Sequence, residues 1–427
     1  MWNDWIHWLS SMRRDELAWL LLPMLLFDVP RYFVGSLVMW LVDLAYRVAD
    51  WWHRGEARPG FPYQPSVCVV IAGLNEGPSL RGGLERLVGS YPDLQVIVVD
   101  DGSSDGMSQV GHEFARLHDN VLVLTKRRGG KSSAMNFALP FVRAEIVIVV
   151  DADSHLAPNA IWEVVQPLAD PQVGAVSGNV LVRNEFTNIV TRLQGLEYQR
   201  SIFMGRMLAD RLNLLGIASG AFGAFRMSAL RHVGGWDVGP GEDEDITLRL
   251  RKVGYRVVFA PYAECWTQAP TRWWTLIRQR RRWEWAVVTF GSRKHIDMVN
   301  LLSPAARWGN VLLLLERWLF NLFLPIVFWV ALFWWCLVGF PDHWLYLGLL
   351  YYLLYLAMET ANWLLLLDYS AHRQRDFRLG IVLPLMPFYQ FLQRCVTTWA
   401  IAEEVFTRRS FRDGFVPQHV REATWHW

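Results

Sequence analysis

Residues 145–153 read EIVIVVDAD. Ile146 to Val150 are all β-branched, and the run ends on two carboxylates, Asp151 and Asp153. A strand without polar alternation buries both faces, as strands do in a parallel sheet covered by helices on each side. Four further stretches repeat the pattern: SVCVVIA (66–72), QVIVVD (95–100), NVLVLT (120–125) and VGAVSGNVLV (173–182). Amphipathic segments lie between them, for instance 131–142 and 158–168. The spacing predicts one α/β domain over 66–266, since about 200 residues suffice for a single large core.

Ligands of open α/β sheets bind beyond the carboxyl ends of the strands, so the residues after each strand are the candidate site. They are Asn75-Glu76, the run Asp100 to Asp105 (DDGSSD), the run Lys126 to Lys131 (KRRGGK), and Asp151-Ala152-Asp153. Each parallel strand therefore delivers charge to one rim. Asp151 and Asp153 suit a hard divalent cation shared with phosphate oxygens, because such cations are held by one or two carboxylates plus the phosphates themselves. The cation would stabilise a leaving diphosphate. Lys131, after Gly129-Gly130, is placed to meet an anion at a helix N-terminus. Glu76 and Asp101 can accept hydrogen bonds from a base or ribose. A two-carboxylate motif alone is short enough to recur by chance.

Further along, GEDED (241–245) opens a predicted helix, ITLRLRKVGY. Acids in a first helical turn are favoured by the helix dipole, and one of them can also take a proton from an acceptor hydroxyl. QRRRW (279–283), within RWWTLIRQRRRWEWAVV, is basic and aromatic together. It fits an interfacial amphipathic helix and an anion site equally.

Composition bounds the rest. The chain has 427 residues, with 42 basic against 40 acidic side chains, a net charge of +2. That balance excludes a bulk nucleic-acid binder. With 52% hydrophobic and 19% charged residues, disorder is excluded as the main state. The 24 tryptophans point to membrane interfaces or sugar faces. Four scattered cysteines exclude a disulfide framework and a structural zinc.

Residues 317–340 and 344–367 are apolar runs long enough to span a bilayer, joined at Pro341-Asp342-His343. A weaker run, 379–402, contains Pro384, Pro387, Gln390, Gln393 and Arg394. Leu17–Phe27 and Tyr32–Val48 predict one or two N-terminal membrane helices, with no cleavage site of a signal peptide. Three basic clusters set the orientation: His53, Arg54 and Arg58; Arg278 to Lys294; and His372 to Arg378. The positive-inside rule places all three in the cytoplasm. Arg408, Arg409 and Arg412 prefer the same side, which favours a partly interfacial reading of 379–402. The expected organisation is a membrane segment at 1–60, a cytoplasmic catalytic domain at 61–270 and an interfacial helix at 271–300. Transmembrane and interfacial helices at 301–405 and a cytoplasmic tail at 406–427 complete an integral protein of the cytoplasmic membrane. Glu316, Arg317, Asn321, Glu359 and Asn362, inside apolar runs, either line a hydrophilic path or pair between helices.

Taken in order, NE (75–76), DDGSSD (100–105), GGKSSAMN (129–136), DAD (151–153), SGAFGAFR (219–226), GED (241–243) and QRRRW (279–283) resemble the membrane-embedded family-2 glycosyltransferases. Those include hyaluronan, chitin-oligosaccharide and cellulose synthases, and the pattern looks most like the poly-β-1,6-N-acetylglucosamine synthase type. The resemblance implies a GT-A fold, a UDP-sugar donor and Mg²⁺ or Mn²⁺. It implies Glu76 and Asp101 at the uracil and ribose, Lys131 near the nucleotide, Asp151 on the nucleotide side and Asp153 on the metal. Asp243 would be the general base; Gln279, Arg282 and Trp283 would lie by the diphosphate and acceptor sugar, with Trp283 stacking on the sugar face. The implied activity is inverting, processive transfer of a sugar, N-acetylglucosamine by best match, to a growing β-linked polysaccharide passed through the membrane. Membrane lipid and an export or accessory subunit are implied partners. Two residues depart from the family pattern: Leu74 stands where an aromatic often precedes NE, and Gly241 stands where a threonine is usual. With only a short tail after residue 402, control by a fused cyclic-dinucleotide domain is not expected. Single transfer to a lipid acceptor and a non-catalytic membrane scaffold are the competing readings.

Overall fold

A computed structural model describes residues 2–24, 28–52, 60–339 and 343–424. The predicted turn at Pro341-Asp342 and the basic residues His53, Arg54 and Arg58 lie outside the described residues. At the centre is an eight-stranded sheet: β1 (Val67–Gly73), β2 (Leu94–Asp100), β3 (Val121–Thr125), β4 (Ile146–Asp151), β5 (His155–Leu156), β6 (Val173–Val182), β7 (Phe222–Arg226) and β8 (Arg256–Thr267). Their order across the sheet is β3-β2-β1-β4-β7-β6-β8-β5.

The five strands expected from sequence are all present. β1 pairs in parallel with β2 and β4, and β2 with β3. β7 is antiparallel to both β4 and β6, so β6 runs in the direction of β4. Three strands were not legible. β7 (FGAFR) carries a glycine and a terminal arginine, and β8 contains Pro261 within a register shift between Gly178 and Asn179 of β6. β5 has two residues.

Alternate residues of the apolar runs build two cores. Val69, Ile71, Val96, Val98, Ile148 and Val150 face one side, against Leu80, Leu84 and Phe114 of the helices Gly77–Leu87 and Met107–Leu117. Cys68, Val70, Ile97, Val99, Val147 and Val149 face the other, against Ala134 and Met135 of Lys131–Ala138 and Ile246 and Leu250 of Glu242–Lys252. This doubly covered arrangement is what unalternated strands require. Register then sets the rim: Gly73 is level with Asp100, Asp100 with Thr125, and Ala72 with Asp151.

Met39 of the helix Gly35–Trp52 and Leu366 of the helix Trp344–Tyr369 join the second core. Asp43 bonds Arg211 at 2.7 Å and the Tyr369 hydroxyl at 2.5 Å, tying both helices to the α/β domain. Among the described residues, three helical stretches are long and apolar enough to cross a membrane: Trp308–Val338, Trp344–Tyr369 and Arg373–Thr407. The third reaches that length although its sequence favoured a partly interfacial segment. Pro384 sits in a 3₁₀ turn, Gly380–Leu385, and Pro387 in the first turn of Met386–Thr407, where a missing N–H breaks no bond. The polar residues inside these runs are largely paired between elements: Glu316 with Arg31 at 2.8 Å, Arg317 with Glu244, and Glu359 with Arg200 at 2.5 Å.

β6 passes close to β7 because residue 178 has no side chain: a Cβ there would lie 2.0 Å from Cδ1 of the fully buried Phe222. Overpacking a core costs about 1–3 kcal/mol. Gly178→Ala is therefore expected to lower the thermal midpoint in detergent, and the double variant with Phe222→Leu to recover part of the loss.

Candidate active site

Lys131 is the first residue of its helix, and its Nζ reaches Asp151 Oδ1 at 2.5 Å, the Gly220 carbonyl at 2.9 Å and Glu242 Oε1 at 3.4 Å. The preceding Gly130 has φ +88°, a left-handed conformation that L side chains rarely adopt, and it turns the loop into the helix. Burial opposes the charge on Lys131, but Asp151, Glu242 and Asp243 together hold the ammonium protonated.

Asp243 stands on the other side of Gly220. Its Oδ2 accepts the Gly220 N–H at 3.1 Å and its Oδ1 accepts the Glu244 N–H at 2.9 Å. A Cβ at residue 220 would lie 3.2 Å from the Lys131 ammonium and 3.3 Å from the Asp243 carboxylate, so a glycine is what lets the two approach. Burial, and then the charge of Glu242, push Asp243 up to about 6, against the opposing pull of Lys131, the Gly220 N–H and Arg206. A carboxylate with its pKa near neutrality is suited to take a proton.

The acids of GEDED have separate tasks. Glu244 pairs with Arg317. Asp245 is fully buried and bonded by His295 at 2.8 Å, Arg249 at 2.8 Å and Lys294 at 2.7 Å; these hold it below the usual carboxylate range although burial opposes them. Glu242 and Asp243 face Lys131. Gly241, where a threonine is usual in the family, packs under the helix Trp273–Ala286: a Cβ there would meet the Ala286 methyl at 2.7 Å.

Asp153 follows β4 and, among the described residues, accepts only hydroxyls, Ser154 at 3.2 Å and Thr267 at 3.5 Å. Burial and then Asp151 raise its pKa. Glu76, at the end of β1, is raised by burial and then by Asp153, Asp151 and Asp105. Neither forms an ion pair among the described residues. These carboxylates repel one another and offer only oxygen donors, which fits a hard divalent cation. Among the described residues no three His, Cys, Asp or Glu side chains are assembled into a cage, so other ligands would have to come from elsewhere, as phosphates do.

Asp101 is placed differently from a residue open to ribose. Its side chain is 6% exposed, and both oxygens accept backbone N–H groups of Gly129 and Gly130 at 2.7–3.0 Å, with Lys126 Nζ at 2.9 Å. It shapes the KRRGGK loop and thereby sets where Lys131 begins its helix.

In QRRRW, Trp283 is 40% exposed. The buried Arg280 lies 4.2 Å beneath its ring and pairs with Glu197 at 2.9 Å, so the ring is propped from below. Gln279 Oε1 is closed to solvent and has no partner among the described residues. Arg282 is covered by Phe415 at 3.7 Å, and Arg128 donates to the Gly414 carbonyl at 3.0 Å. The segment expected as a plain tail thus lies against both the KRRGGK loop and QRRRW.

Four contributors escaped sequence reasoning: Gly220, Glu242, Arg280 and Arg206. Arg206 bonds Ser177 Oγ at 2.7 Å, forms no ion pair among the described residues and faces Asp243. The first three stood inside motifs already singled out, but nothing in spacing separates Arg280 from Arg282. Arg206 lies in the helical stretch after β6 with no motif around it.

Residues 65–286, slightly over half of the chain, match the family described as glycosyltransferase like family 2. The chain is 30% identical over 220 residues to the poly-beta-1,6-N-acetyl-D-glucosamine synthase of Staphylococcus epidermidis, 51% of this chain and 53% of that one. It therefore spans about half the length of that curated relative. It is 27% identical over 374 residues to the probable glycosyltransferase YdaM of Bacillus subtilis strain 168, covering 84% of this chain and 80% of the relative. Its fold is also that of the mannosyltransferase PcManGT from Pyrobaculum calidifontis, solved with GDP-Man and Mn²⁺, with a TM-score of 0.56 at 21% identity over 91% of this chain and 99% of that one. A sheet of this order, with these charged groups on its carboxyl rim, is the GT-A scaffold, and the chain belongs to the family-2 glycosyltransferases.

Proposed function

We propose that the chain is an inverting, processive polysaccharide synthase. It transfers N-acetylglucosamine from a UDP-sugar to a growing β-linked chain and passes the product through the cytoplasmic membrane, with its catalytic domain in the cytoplasm. The observation that carries this reading is the meeting of Lys131, Asp151 and Asp243 around Gly220. The poly-N-acetylglucosamine synthases among its relatives support the donor, and the candidate span Trp344–Tyr369, whose Leu366 enters the second core, supports membrane passage.

In this reading Asp243 Oδ takes the proton of an acceptor hydroxyl as the hydroxyl oxygen attacks the anomeric carbon from the face opposite the diphosphate. The carbon–oxygen bond to UDP breaks, and its electron pair leaves with UDP. Lys131 stands where that negative charge develops, and Arg282 is placed to join it. Trp283, propped by Arg280, offers the acceptor sugar an aromatic face. Asp153, with Asp151 and Glu76 beside it, would hold Mg²⁺ or Mn²⁺, which when bound neutralises the diphosphate. PcManGT was solved with Mn²⁺, which supports a divalent metal here. Membrane lipid and an export or accessory subunit are the partners this reading adds to the donor and the saccharide acceptor; no nucleic acid enters it.

UDP release by the detergent-purified chain, scanned over UDP-GlcNAc, UDP-Glc and UDP-GlcA with Mg²⁺ or Mn²⁺, tests the assignment. Metal-dependent turnover of UDP-GlcNAc with a polymeric product is expected. A lipid-linked monosaccharide as sole product would replace processive synthesis by single transfer, and turnover of no donor by folded protein would favour a scaffold. Removing a general base costs about 100- to 10,000-fold, and Asp243→Asn should lose that much of kcat/KM. Because the base works ionised, log kcat/KM should rise with unit slope as pH increases towards about 6 and then level off. Glu242→Gln removes a neighbouring charge that raises Asp243, so it should move this acid limb to lower pH. Gly220→Ala should slow turnover on the order of 100-fold by displacing Lys131 and Asp243, with little change in thermal midpoint.

A further inference from the structure

Where the helix Trp344–Tyr369 ends and the stretch Arg373–Thr407 begins, a groove of about 670 Å³ is lined by Leu367, Asp368, Arg373, Gln374, Phe377 and Arg378. Its charge is unbalanced. Asp368 is already bonded by Trp40 Nε1 at 2.8 Å and Arg47 at 2.6 Å, and Arg373 stands 3.7 Å away with its side chain 67% exposed. Arg378 has no carboxylate partner among the described residues; it lies over the Phe186 ring at 4.6 Å. The groove thus sets two guanidinium groups, Arg373 and Arg378, against one acid that Arg47 already engages.

Below these arginines runs an apolar stripe at near-helical spacing. Phe377, Ile381, Leu385 and Phe388 are 63%, 71%, 43% and 63% exposed. The stripe continues along a stretch apolar enough to span a membrane. Basic heads above an exposed apolar ledge match a molecule with an anionic head and a hydrocarbon tail.

We propose that this groove binds an anionic phospholipid, its phosphate between Arg373 and Arg378 and an acyl chain along Phe377 and Ile381. Arginine suits the task because its planar fork can bind two phosphate oxygens at once. The site also connects to the catalytic rim. Within the same segment Arg375 pairs with Glu185 and lies 4.5 Å over the Trp266 ring, and His372 Nε2 meets Glu264 at 2.8 Å. Trp266 and Thr267 end β8, and the Thr267 hydroxyl reaches Asp153. Lipid bound here holds the segment that braces that strand end. The proposal rests on the membrane reading of the chain but not on its donor or product.

The test uses the full chain in nanodiscs of phosphatidylcholine alone or mixed with phosphatidylglycerol. Retained lipid is counted by native mass spectrometry without donor, and UDP release is measured separately. The wild type should retain phosphatidylglycerol over phosphatidylcholine. Each arginine near an anionic surface is worth roughly a five-fold change in affinity, so Arg373→Gln with Arg378→Gln should lose most of that preference. Replacement of both by lysine should keep much of it. UDP release by the glutamine variant in pure phosphatidylcholine should equal that of the wild type, while its stimulation by phosphatidylglycerol should disappear. Equal retention of the two lipids by the wild type, unchanged retention by the glutamine variant, or full displacement by inorganic phosphate would each overturn the lipid site. Because retention is read without donor, absence of UDP release would count against the synthase and leave the lipid result standing.

Discussion

The ion pair between Lys131 and Asp151 joins two parts of the chain that the sheet alone would leave separate. Asp151 is fixed by β4, and Lys131 by the loop that Asp101 gathers through the Gly129 and Gly130 amides. From Lys131 the contacts reach the Gly220 carbonyl and Glu242, and through Gly220 to Asp243. Cations and acids thus alternate along one short path, which keeps a half-buried lysine charged and a half-buried aspartate near neutrality. Without the acids around it, the Lys131 ammonium would face the desolvation cost alone.

That path depends on small residues at three crossings. Gly220 lets Lys131 and Asp243 approach, Gly241 lets the helix Trp273–Ala286 settle on the start of Glu242–Lys252, and Gly178 lets β6 pass Phe222. The second crossing explains a departure from the usual family pattern. A threonine at 241 would drive its Cβ into Ala286, so in this chain the space that a hydroxyl would occupy belongs to helix packing. The same helix carries Arg280 beneath Trp283, which makes QRRRW a layered structure in which one arginine is support and another lies at the surface under Phe415.

The apolar helices are part of this arrangement. Met39 and Leu366 enter the second core beside the strands themselves. Glu244 and Arg317 link the acid-rich helix to Trp308–Val338, while Arg375 and His372 reach β6 and β8 from Arg373–Thr407 and the turn before it. Ion pairs of this kind are costly to bury singly and so appear in partnered sets. They tie the carboxyl rim of the sheet to the candidate spans.

Unalternated Val and Ile runs were enough to specify five co-directional strands, because such residues are stable only with both faces covered. The charges after those strands then had to lie on one rim. Apolar length likewise marked residues 317–340 and 344–367 as able to cross a membrane, since about 20 residues cover the hydrocarbon core. Arg373–Thr407, by contrast, reaches that length against its interfacial reading, and neither N-terminal run is among the candidate spans of the described residues. β7 and β8 were hidden because glycine, proline and charge interrupt them, and their strand character comes from neighbours that fill the ladder. Only the folded chain could divide the four acids of GEDED, since a helix turns neighbouring side chains towards different partners: Arg317, the Lys294–His295 pair, and Lys131. Only the folded chain could turn Asp101 inward and bring Arg206 to Asp243. Motif residues announce their chemistry by type and spacing; which of them face substrate and which hold the others in place is decided by packing between segments far apart in sequence.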